Sequence, residues 1–219
     1  MGPFYVTAEV MGENASEWHG MEGTMVVAVL VGSMRGDRMG DRAAKWAIAE
    51  LKKREHEVVR VDALELGLPM LDRMWKEIKN EPEKHAELYA KLKPLADLYE
   101  RVDGFCVVAG EYNHSVQPGL ANLIDYFLEE YFWRPSAIVC YSQTAFGGVR
   151  GAMQLRALLA EVGMSSIPSI QPIPQVQNAL STDGMALTQQ LAEKTGKFFD
   201  EFDWYMRAMK AEREEGVPY

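Results

Sequence analysis

The strongest constraint on this chain is a short apolar run, Val26 to Val31, that stops at Gly32-Ser33 and opens into a loop carrying Arg35 and Arg38. The run is too short for a helix and too continuously apolar for an edge strand, so it predicts a parallel strand buried on both faces. A helix follows from near Asp41, with Ala43, Ala44, Ala47, Ile48 and Leu51 on one face. Strand, hydroxyl- and arginine-bearing loop, then helix is an arrangement that holds phosphate. Free backbone N–H groups at the helix start point at the anion, and guanidinium forks grip its oxygens. A surface turn whose arginines meet only water is the alternative for this loop taken alone.

The loop also excludes two common phosphate sites. It lacks the Gly-Lys-Ser/Thr ending that cradles a triphosphate with magnesium. Gly32, Gly36 and Gly40 do not fall at the dinucleotide spacing G-x-G-x-x-G. Ser33 with two arginines suits a single terminal phosphate better. At 219 residues the chain is expected to form one domain, residues 24–219, behind an N-terminal arm over residues 1–23. A net charge of −9 argues against nucleic acid as a bulk partner. No apolar stretch is long enough to span a membrane, and Glu9, Glu13 and Glu17 do not suit a secretory signal. Cys106 and Cys140 both sit inside apolar runs, which predicts buried, unpaired thiols and a cytoplasmic location.

Further strands are expected at 56–64, 104–109 and 136–141, with a peripheral one at 167–173 weakened by Pro168 and Pro172. Helices are expected at 81–99, 118–131 and 148–163, and a long terminal helix from Leu187 to about Arg213. Alternating strands and helices predict an α/β fold with a doubly wound parallel sheet. The strands at 26–31, 104–109 and 136–141 each run into an unusual loop: GSMRGDRMG, GEYNHSVQPG and YSQTAFGGVRG. In a parallel sheet these loops share one edge. With the order 2-1-3-4-5, the crevice between the first and third strands is the topological switch point where ligands bind.

On these motifs the chain resembles the NADPH-dependent FMN reductases, flavodoxin-like flavoproteins that include quinone, azo and metal reductases. The resemblance covers roughly residues 25–180 and implies a flavodoxin-like, five-stranded parallel sheet with helices on both faces. It implies FMN as cofactor and NADPH or NADH as electron donor, with hydride passing through the flavin to a quinone, azo, nitro, metal or flavin acceptor. The family's G-S-x-R loop places Ser33, Arg35, Arg38 and Gly40 at the FMN phosphate. Its P-E-Y-N loop, here Gly110-Glu111-Tyr112-Asn113 and followed by His114, borders the ring, and Ser142 and Gly147 are expected at the ring's far edge.

Gly110 stands where the family has proline, which predicts a less rigid loop, and the bulky Phe146 is expected to narrow access. Asp41 is expected to cap its helix with the side chain turned away from phosphate. His114 reads as a proton donor or, more simply, as a structural loop residue. Arg150 and Arg156 are read as solvated, with either available to a nicotinamide nucleotide's phosphate. No residue is assigned to catalysis or to a metal. The aromatic cluster Tyr126, Phe127, Tyr131, Phe132 and Trp133 suggests a homodimer or homotetramer interface. A non-enzymatic flavodoxin-type electron carrier is the alternative function, and a scaffold that has lost its cofactor and a reductase that releases flavin as product are further ones.

Overall fold

The computed structural model describes residues 23–219, apart from the side chains at 190 and 192–194. The N-terminal arm expected before the first strand lies, up to residue 22, outside the described residues.

Five parallel strands form one sheet: β1 (Val26–Val31), β2 (Glu57–Asp62), β3 (Gly104–Gly110), β4 (Pro135–Tyr141) and β5 (Ser165–Ile173), in the order β2-β1-β3-β4-β5. The fold and strand order are those expected. Successive side chains on a strand point to opposite faces, so a strand covered on both sides must be apolar throughout. Ala28, Leu30, Phe105 and Val107 face one core, closed by α4 (Ala86–Arg101), α5 (Pro118–Asp125) and α6 (Val149–Glu161). Val27, Val29, Cys106 and Val108 face the other, under α1 (Gly40–Lys52) and the terminal helix (Gln189–Glu215).

Short helical turns complete the connections. They are α2 (Ala63–Leu66) and α3 (Trp75–Ile78) after β2, a 3-10 turn (Glu129–Tyr131), and α7 (Val176–Ala179) after β5, which makes the terminal helix α8. The helix expected over 118–131 therefore stops at Asp125, and the one expected from 81 begins at Ala86. β5 is longer than its prolines suggest. It occupies the sheet edge, where a missing N–H is tolerated, and Pro168 falls at the register shift against Ser136 and Ile138.

Three members of the aromatic cluster are monomer core, and the other two are half-buried. Tyr126, Phe127 and Tyr131 are buried, and Phe127 and Tyr131 pack in ring contacts with Tyr99. Phe132 and Trp133 contact Tyr219 near the chain's end. Phe198, Phe199 and Phe202 of α8 are likewise buried on the sheet, while Trp204 is exposed.

Opposite the loop-bearing edge, buried charges tie α8 to the strand starts. Asp103 accepts the Val26 N–H at 3.0 Å and pairs with Lys210 and Arg213, both at 3.1 Å. His56 meets Asp203 at 2.9 Å. Cys106 and Cys140 are free and buried, as expected, and burial pushes both thiols up to about 12. A thiolate is the reactive species, so neither cysteine should react with an aromatic disulfide reagent at about pH 8 in the folded protein. Both should react once urea unfolds it; titration of released thiolate checks this.

Candidate functional site

The three loops after β1, β3 and β4 meet in a pocket of about 260 Å³. Ser33, Arg35 and Arg38 form one wall, Gly110, Glu111 and Tyr112 a second, and Tyr141 to Thr144 a third. A larger cleft of about 470 Å³ opens beside β5 and Lys197, but its lining contains neither an arginine nor any part of these three loops. Chemistry, more than volume, makes the smaller pocket the candidate site.

The β1 loop is pressed against its neighbours through glycine. A Cβ on Gly32 would lie 2.4 Å from the Leu120 side chain, and one on Gly40 would lie 2.4 Å from the Tyr141 hydroxyl. Ser33 is buried. Among the described residues, the backbone N–H groups of Ser33, Met34, Arg35 and Gly36 find no acceptor. α1 starts after Met39 with no side-chain cap, so among the described residues the Gly40 and Asp41 amides are also free, while the Arg42 N–H donates to the Met39 carbonyl at 3.2 Å. Asp41 does not cap the helix as expected. It sits in the first turn, bonded to Arg60 at 2.8 Å and Lys45 at 2.9 Å. Burial opposes its charge, but those bonds hold the carboxyl below its ordinary range.

The two expected phosphate arginines divide into different roles. Arg38 is a brace: its fork donates to the Ser33 carbonyl at 2.9 Å and to Asp62, whose side chain is 1% exposed. Arg60 holds the other Asp62 oxygen, and the same carboxylate accepts the Leu64 N–H at the start of α2. Arg35 is exposed, and among the described residues its guanidinium has no partner. It is the arginine left open to an incoming anion.

The β3 loop is a miniature hairpin. Tyr112 and Ser115 exchange N–H···O bonds of 3.2 and 2.9 Å, and Asn113 and His114 both take positive φ, 52° and 62°. This is the left-handed pair that a two-residue turn of type I′ requires. It puts Asn113 and His114 at an exposed tip rather than in the pocket lining, which takes Gly110, Glu111 and Tyr112 from this loop.

The glycine in place of the family's proline does not loosen this loop. The Gly110 N–H donates to the buried Gln117 Oε1 at 2.8 Å, and a Cβ at Gly110 would sit 2.9 Å from the Tyr141 hydroxyl. A hydrogen bond replaces the rigidity of a ring. Among the described residues, two buried polar atoms on this wall, Gln117 Nε2 and the Tyr112 hydroxyl, have no partner. Burial raises the Tyr141 phenol above its ordinary value, against the opposing pull of the nearby Gln117 and Ser33 side chains, so it stays neutral beneath the loop.

Glu111 lines the pocket, and its carboxylate accepts the Arg150 and Gly151 N–H groups, each at 3.0 Å, and so caps α6 from a distant loop. Ser142 Oγ bonds within its own loop to Thr144, whose carbonyl accepts the Gln175 N–H at 2.9 Å. Gly147 takes a φ of 66° and is packed against Pro172 and Pro174. It shapes the turn instead of lining the pocket. Asp62, Gln117 and Tyr141 are the site residues not singled out from sequence. A charged residue ending a strand and a polar one just before Pro118 were the available signals.

Unpaired loop amides, an exposed arginine and orphaned buried donors fit a phosphate-bearing ligand with a polar flat ring, as FMN is. Fold and pocket together define a doubly wound protein of flavodoxin type with a candidate ligand site at the switch point. The chain belongs to the NADPH-dependent FMN reductase family, whose sequence model matches residues 25–177. A curated relative, an NAD(P)H-dependent FMN reductase from Nectria sp, is 25% identical over 143 residues, 62% of this chain. The match spans 65% of that relative's length. The fold is similar to that of FerB, a flavoenzyme NAD(P)H:(acceptor) oxidoreductase from Paracoccus denitrificans, with a TM-score of 0.66 and 22% identity over 85% of this chain and 99% of that one. An oxidoreductase from Corynebacterium diphtheriae is similar at a TM-score of 0.60 and 12% identity, covering 85% and 98% of the two chains.

The Gly110–Gln117 bond makes a direct prediction. Gly110→Pro, which restores the family residue, removes the donated N–H and drives ring atoms toward Tyr141. It should destabilise the protein by about 2–4 kcal/mol, read as a lower urea midpoint.

Proposed function

We propose that this protein is an FMN-dependent NAD(P)H oxidoreductase that passes hydride equivalents from a reduced nicotinamide to a small quinone, azo, nitro, metal or flavin acceptor. The observation that carries the reading is that Ser33 and Arg35, whose backbone amides and, for Arg35, guanidinium have no partner among the described residues, share one pocket wall facing Tyr112 across the switch point. FMN, when bound, supplies the hydride and electron chemistry itself. The chain's task is then to bind, orient and leave one face accessible.

In this reading the loop amides, the Ser33 hydroxyl and Arg35 hold the phosphate. Arg38, fastened to Asp62, fixes the loop's shape, and Gly40 allows close packing beneath it. Tyr112 packs against the ring, and the rigid 112–115 hairpin sets its height. Ser142 stands at the opposite wall. No side chain on these walls needs to move a proton for such a role, which accords with the absence of an assigned acid or base. A homo-oligomer and a cytoplasmic location belong to the same proposal. The first draws on the exposed loop residues Met34, Met70 and Phe146, the second on two unpaired buried thiols.

The test is an absorbance spectrum after incubation with FMN and desalting, followed by anaerobic NADPH or NADH. Retained yellow colour that bleaches with either nucleotide is expected. Colour that persists would make the protein an electron carrier, and no flavin in a full titration would sink the reading. Arg35→Ala should weaken FMN binding by more than about 1 kcal/mol, roughly the net value of one charge-assisted contact. An unchanged dissociation constant would overturn the phosphate assignment.

A further inference from the structure

We propose that Arg150, held beside the pocket by Glu111, His114 and Phe146, is the residue that receives the phosphates of the nicotinamide dinucleotide donor. The inference rests on the reading of the pocket as a flavin site and names the donor's own recognition residue.

Arg150 is the second residue of α6, and its guanidinium is fixed on three sides. Its carbon lies 4.0 Å from the centroid of the Phe146 ring, and Nη1 is 2.9 Å from His114 Nε2 and 3.7 Å from Glu111 Oε1. A guanidinium only donates, so His114 accepts through Nε2 and carries its proton on Nδ1. Stacking on an exposed aromatic holds the planar fork without using its N–H groups. Among the described residues, Nη2 and Nε make no hydrogen bond, and the side chain is 39% exposed. The chain thus presents a rigid, partly free fork against the Glu111–Tyr112 wall.

Neighbouring cations are already committed. Arg156 donates to the Ile167 and Pro168 carbonyls and ties α6 to β5. Arg42 bonds the Leu180 carbonyl, and Lys45 bonds Asp41. Arg38 is spent on Asp62, and Arg35 faces the pocket's phosphate end. Sequence alone left Arg150 and Arg156 equivalent; their hydrogen bonds separate them. A pyrophosphate-bearing donor approaching a protein of net charge −9 needs a local cation beside the reacting ring, and a planar fork is suited to phosphate oxygens. The cap on α6 is the Glu111 carboxylate accepting the backbone N–H groups of residues 150 and 151, so it survives loss of the Arg150 side chain.

The experiment uses FMN-loaded protein, wild type beside Arg150→Ala, Arg150→Lys and Phe146→Leu. Arg150→Ala should raise the KM for NADPH and NADH about tenfold or more, the equivalent of one charge-assisted contact, with kcat changing far less. Calorimetric binding of ADP-ribose, which carries the pyrophosphate but no nicotinamide, should weaken by a similar factor. Arg150→Lys should recover part of both losses, and Phe146→Leu, which removes only the stack, should fall between. With uncharged 1-benzyl-1,4-dihydronicotinamide the penalty should be several-fold smaller than with NADPH. Equal penalties with both donors, unchanged ADP-ribose binding, or an effect confined to the acceptor's KM would each overturn the assignment. Wild-type flavin that neither nucleotide bleaches would instead overturn the functional reading beneath it.

Discussion

The candidate site depends on one buried carboxylate. Asp62 ends β2 with a side chain almost wholly out of water, and a charge in that position must be fully paired. Arg38, Arg60 and the Leu64 amide satisfy it, and in doing so they tie the β1 loop to the neighbouring strand end. The loop is therefore held from behind, by a partner that contributes nothing to the pocket's lining. Arg60 extends the same network to Asp41 on α1, which keeps that carboxylate's charge matched near the free helix amides. Without this bracing, Ser33 to Gly36 would be an ordinary flexible turn. With it, Ser33 and Arg35 stand together in the pocket wall.

Most of the scaffold was legible because it follows from burial. The strands at Val26, Gly104 and Pro135 are continuous apolar runs, and a run covered on both faces has little freedom to be anything else. β5 was harder, since Pro168 and Pro172 weaken its pattern and only its place at the edge excuses them. The core role of Tyr126, Phe127 and Tyr131 was hidden for a related reason. Their spacing could not reveal that Tyr99 and Phe105, far away in sequence, would surround Phe127 and Tyr131.

At the site, the residue types were readable and their division of labour was not. Two arginines in one loop look alike as letters. Only the placement of Asp62 makes Arg38 a brace and leaves Arg35 open. Gly110 looked like a loss of rigidity because the compensating Gln117 lies across a turn. Arg150 and Arg156 occupy the same helix with the same chemistry, and it is the path of β5 that absorbs the second. Long-range partners decide such cases, and a single chain's spacing does not contain them.

Glu111 joins two parts of the molecule that are otherwise separate. Its backbone belongs to the pocket wall, while its carboxylate supplies the N-terminal cap of α6. Any ligand that steadies the wall also steadies that cap, and a frayed first turn of α6 would slacken the wall in return. The helix is thus a reporter of occupancy: amides in its opening turn should exchange with solvent more slowly when the pocket is filled, although they touch nothing in it.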